Sequence, residues 1–74
     1  MTTIEKLNAK YANDEITRLA NAGDWAGAAR RAAACAMWGL WEECRAEAGL
    51  TATREDRDAV TAEMMAARRA RFAR

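Results

Sequence analysis

The chain of 74 residues has no histidine, no proline and no serine. Without histidine and serine, the usual general base and the usual hydroxyl nucleophile are both missing. Without proline, nothing in the side chains forbids a helix at any position. Valine and isoleucine are scarce, which argues against strands. The longest apolar run, Ala32 to Trp41, falls far short of the roughly 20 residues a membrane-spanning helix needs. The N-terminus carries no apolar signal segment, so the expectation is a cytoplasmic protein with no membrane partner. Neither sign of charge dominates, since the net charge is +1. That excludes an acidic mimic of DNA and a basic nucleic-acid coat.

Cysteine occurs twice, at Cys35 and Cys44. If both lie on one helix, nine residues separate them by roughly 13 Å along the axis and about half a turn around it. A disulfide needs Cα atoms within about 7 Å, so the expectation is two buried, reduced thiols. With no histidine to complete a ligand set, no zinc site is expected. No glycine-rich phosphate loop is present, and Glu42, Glu43 and Glu47 read as a solvated face. The threonines, Thr17 among them, read as caps and surface positions. Catalytic, cofactor-binding and metal-ligating residues are therefore all expected to be absent, and the chain is expected not to be an enzyme.

What remains is alanine, leucine, arginine, lysine and glutamate, residues that lose little side-chain entropy in a helix. Two glycine punctuations divide the chain into three helical segments within a single domain, residues 1–74. The first runs from about Thr3 to Asn21, capped by Thr2 or Thr3. Ile4, Leu7 and Tyr11 share one of its faces, while Ile16 and Leu19 sit about a third of a turn away. One continuous helix and two shorter helices with a break near Asn13 both fit, because Asn13-Asp14-Glu15 resembles a fresh helix start. Gly23 closes the segment and Asp24 caps the next. So short a turn makes the flanking helices antiparallel neighbours. The second helix is expected from Trp25 to Ala48, with Gly49 as its stop. The third is expected from about Thr53 to Phe72, opened by a capping-box-like pair of Thr53 and Asp56. Its acidic start and its arginine-rich end suit the helix dipole. The fold class is thus all-α: a small antiparallel three-helix bundle, made of a hairpin and a C-terminal helix, with a fourth short helix if the first segment breaks.

Leu19, Gly23, Trp25, Ala28 and Ala32 fall where tetratricopeptide-type repeats place a large apolar residue, a turn glycine, an aromatic and two packing residues. Over about 25 residues the hairpin resembles one such unit. It lacks the tryptophan and glycine usual in the first helix and the proline after the second, and no second copy follows. The resemblance implies a tight helical hairpin.

On a single middle helix stepped at 100° per residue, Trp25, Ala28, Ala29, Ala32 and Ala36 form one stripe. Met37, Trp38 and Trp41 centre on the opposite side, so the apolar face changes sides near Gly39. A helix apolar on both sides must be covered on both or expose one. The third helix, through Val60, Met64, Ala67 and Phe72, can cover the tryptophans. Otherwise Trp38 and Trp41, edged by Arg30, Arg31 and Arg45, have the composition of a binding hot spot. The expectation is a non-enzymatic protein-binding module. Its partner is expected to be a larger bacterial or phage complex that it inhibits or regulates, in the manner of anti-CRISPR proteins. That analogy is one of size and composition. A homodimeric adaptor is one alternative. The other is a helix-turn-helix regulator using the basic patch of Arg68, Arg69 and Arg71, with Arg74 beyond it. Nucleic acid is the less favoured partner, because the acidic start of the third helix would face phosphates.

Overall fold

A computed structural model of the chain describes residues 2–72. Among these residues the structure is all-helical and contains five helices: α1 (Thr3–Lys10), α2 (Glu15–Asn21), α3 (Trp25–Ala34), α4 (Trp38–Glu47) and α5 (Arg54–Phe72). Arg74 lies outside the described residues.

The first segment is broken where its apolar face jumps. The Thr2 hydroxyl accepts the Glu5 N–H at 3.3 Å, and the Asp14 carboxylate accepts the Ile16 N–H at 2.8 Å to start α2. Thr17, expected on the surface or at a cap, is buried. Its hydroxyl donates to the Tyr11 carbonyl at 2.6 Å. It thereby adds a second donor to a carbonyl at the C-terminal end of α1 that the Asp14 N–H also reaches, at 2.9 Å. The side-chain amides of Asn8 and Asn21 bond reciprocally across the same corner, at 3.3 and 3.1 Å.

The middle helix is not continuous. It ends at Ala34 and restarts at Trp38, and the reason is a backbone motif that occurs three times. After α2, the Asp24 N–H reaches the Leu19 carbonyl at 2.8 Å and the Gly23 N–H reaches Ala20 at 3.0 Å. After α4, the same pair of bonds joins Leu50 to Arg45 and Gly49 to Ala46, at 2.8 and 3.0 Å. After α3, it joins Met37 to Ala32 and Ala36 to Ala33, at 2.9 and 3.0 Å. Each closure needs one residue with positive φ. Two of those residues are glycines, Gly23 at 82° and Gly49 at 74°, and the third is Ala36 at 57°. The reversal of the apolar face attributed to Gly39 is this break: the two stripes belong to different helices.

The three-helix arrangement therefore gives way to a run of short helices packed on their sequence neighbours. The main contacts are α3 with α4, α2 with α3, and α1 with α2. The hairpin of α2 and α3 forms as the short Gly23–Asp24 turn requires. The centre is alanine: Ala28, Ala29, Ala32 and Ala33 of α3 are all buried, surrounded by Leu7, Ile16, Trp41 and Cys44. Such small side chains remove little apolar area from water but let helix backbones approach closely.

Helix α5 is different. It is the longest element, about 28 Å at the standard rise, and none of its residues is buried. It opens as expected, with the Asp56 N–H on the Thr53 hydroxyl at 3.1 Å and the Thr53 N–H on the Asp56 carboxylate at 2.9 Å. Only its inner edge meets the body, through half-buried Val60 and Met64. Ala67 and Phe72, expected to complete that edge, are exposed. The radius of gyration, 13.0 Å, exceeds the roughly 11 Å of an average globule of this length, as a weakly embraced helix requires.

Candidate functional site

The tryptophan patch expected as a contact surface is occupied from within. Trp41 is 1% exposed and belongs to the core. Trp38 is half-buried and meets Trp41 edge-on, with ring centroids 5.4 Å apart and planes at 83°. The outer face of Trp38 is covered by the guanidinium of Arg57 from α5, 4.4 Å from the ring centroid. Trp41 thus cannot touch a partner in the folded chain, while Trp38 keeps part of its surface accessible beside Arg57. For Trp41 the contact-surface alternative is thereby overturned, and the cause is the helix break, which turns the second stripe inward.

The arginines expected to edge that patch also bond within the chain. Arg45 lies 5.3 Å from the Trp41 ring centroid, donates from Nε to the Thr51 carbonyl, and sits 3.8 Å from the Asp56 carboxylate. Arg30 pairs with Glu63 of α5 at 2.9 Å, and Arg31 with Glu15 of α2 at 3.3 Å. Arg30 and Arg31 remain solvent-exposed, and such pairs contribute little to stability, about 0–1 kcal/mol each. Their effect is to orient the helices they join. Glu43, read as part of a solvated face, joins α4 to α1 through Lys6 at 2.6 Å.

Asp56 is the polar centre of the α4–α5 turn. Its carboxylate accepts the Thr51 hydroxyl at 2.7 Å and both the N–H and the hydroxyl of Thr53 at 2.9 Å. The Thr51 hydroxyl bond, then those from Thr53 and the nearby Arg45 charge, pull its pKa down to about 2. The thiols have separated. Cys44 is buried, and desolvation, followed by the charges of Glu43 and Glu47, pushes its pKa up to about 11. Cys35, expected to be buried, is exposed at the end of α3. Both are free. Among the described residues, no group of three or more cysteines and carboxylates is placed to hold a metal ion. No helix among them is long and apolar enough to cross a membrane.

The basic patch is where the open surface lies. Arg68, Arg69 and Arg71 are all exposed on the last turns of α5. Met65 and Phe72 share that end and are 55% and 80% exposed. A shallow concavity of about 550 Å³ runs beside them, between α5 and Ala34 at the end of α3. Phe72, expected on the stripe that covers the tryptophans, and Met65 both stand on this open side instead. The signal was a second spacing on the same helix: Thr61, Met65, Arg68 and Phe72 recur at intervals of four and three residues, beside the inner edge. The two edges overlap in one amphipathic pattern, so the sequence alone does not say which one the body takes. No protein-family model, curated protein or solved structure matches the chain.

Proposed function

We propose that this chain is a non-catalytic helical module that works by binding protein, and that its contact face is the outward stripe of α5. The observation that carries this reading is Phe72, the chain's one phenylalanine, standing 80% exposed beside exposed Met65 and a run of arginines. Aromatic residues, methionine and arginine are the side chains enriched where proteins meet. The missing histidine and serine support the non-catalytic part. A regulatory or inhibitory role toward a larger bacterial or phage complex is the use proposed for such a module, on its size and composition.

Photo-crosslinking tests the reading. With p-benzoylphenylalanine in place of Met65, irradiation of cells expressing the full chain should give a discrete protein adduct. The same probe in place of exposed Ala26 on α3 should give none. Absence of a protein adduct at position 65 overturns the reading. A nuclease-sensitive adduct overturns it in favour of the helix-turn-helix alternative.

A further inference from the structure

Helix α5 carries a charge pattern that fits its own inverse. The carboxylates Glu55, Asp56, Asp58 and Glu63 all lie in its first half, while from Met64 to Phe72 its only charged residues are arginines. Laid antiparallel against a copy of itself, the acidic half of each helix meets the basic half of the other. The outward stripe adds a register. Arg54, Asp58, Thr61, Met65, Arg68 and Phe72 follow one another at alternating steps of four and three, the spacing that keeps one seam facing a partner helix.

In an antiparallel pair related by a two-fold axis, the numbers of facing residues have a constant sum. Placing Met65 opposite the second copy's Thr61 sets every other layer. Asp58 then faces the second copy's Arg68, and Arg54 faces the second copy's Phe72. The symmetry repeats each pairing. The first is an ion pair and the second sets a guanidinium on an aromatic ring. No layer places like charges opposite each other. Beside this stripe, where α5 meets α4 and α3, concavities of about 590 and 550 Å³ share half-buried Thr61 as a common wall.

We infer that the partner this face accepts is a second copy of the chain, docked through an antiparallel α5–α5 seam in which Asp58 pairs with the second copy's Arg68. The inference rests on the proposed role of the outward stripe as a contact face. It also gives a small domain with an alanine-rich centre a further source of stability, since oligomerisation is one way such chains supplement a limited core.

Sedimentation equilibrium of the full chain over a wide concentration series is the test. The wild type should approach twice the chain mass. Asp58→Arg and Arg68→Asp should each weaken dimerisation about tenfold, as expected from losing two symmetry-related ion pairs and gaining repulsion. The double variant Asp58→Arg/Arg68→Asp should restore it, with circular dichroism confirming that all three stay helical. A wild type that remains monomeric throughout, or a double variant that stays as weak as the singles, overturns the seam. A dimer that survives Met65→Ser/Phe72→Ser unchanged overturns the seam as well, whereas the contact face itself fails only if the position-65 probe gives no protein adduct.

Discussion

The guanidinium of Arg57 lies 4.4 Å from the centre of the Trp38 ring, a cation over an aromatic face that ties α5 to α4. It shares that task with the Arg45–Asp56 and Arg30–Glu63 pairs and with Val60 and Met64, which are only half-buried. Arg57→Ala should therefore loosen α5 while leaving α1–α4 folded. The expected loss is about 0.5–2 kcal/mol. Acrylamide quenching of Trp38 fluorescence, measured in a Trp25→Phe background, should rise. Arg57→Lys should retain part of the protection.

Ala36 should be improvable. A residue with a Cβ in the left-handed region costs about 1–2 kcal/mol, and glycine avoids that penalty while giving back about 0.5–1 kcal/mol of extra chain entropy. Ala36→Gly is expected to stabilise the protein by about 0.5–1 kcal/mol. In a domain this small, that raises the melting temperature by several degrees, at roughly 4–8 °C per kcal/mol. Ala36→Val should lower it. A thermal melt followed at 222 nm distinguishes the two.

Trp41 and Trp38 should part company under mutation. Removing a buried tryptophan costs about 3–5 kcal/mol, as much as a core of this size usually supplies. Trp41→Ala should therefore lose its helical circular dichroism at 25 °C. Trp38→Ala, which removes a half-buried ring, should keep the fold at reduced stability. Urea titration ranks the pair.

Stability should fall in acid through Asp56. Its folded pKa of about 2 lies below the ordinary 3.8, so the unfolded chain takes up the proton first as pH drops. The contribution is complete above about pH 5 and is lost as pH falls through 3.8 toward 2. Asp56→Asn should be less stable at neutral pH and should lack that acid-dependent component. Denaturation midpoints measured between pH 2 and 6 give the comparison.

The two thiols should react on different timescales. Exposed Cys35 should be titrated by Ellman's reagent at once. Cys44, buried and held protonated with a pKa of about 11, should react only through opening of the fold, on the order of a hundredfold more slowly or less. Addition of denaturant should merge the phases.

Much of this fold is legible in the sequence, and the places where it is not have a common cause. Gly23, Gly49, Asp24 and the Thr53–Asp56 pair mark their helix ends because their side chains, or the lack of one, perform the closure. The end of α3 is hidden because the same closure is made there by alanine, which elsewhere in this chain builds helix. One unbroken helix placed Trp38 and Trp41 on an outer face, whereas the break turns Trp41 into the core. It also kept Cys35 and Cys44 on one rod. The position of Phe72 is hidden for another reason: the helix has two adjoining apolar edges, and only packing decides between them.

The four buried alanines of α3 reverse the usual sensitivity of a protein centre. Elsewhere the damaging change is truncation, which leaves a void. Here little volume remains to be removed, and every larger side chain at Ala28, Ala29, Ala32 or Ala33 must push neighbouring backbones apart. Substitutions at these sites should thus be graded by what they add, with Gly and Ser the mildest and Leu or Phe the most disruptive. Tolerance to mutation in this chain is limited by clearance.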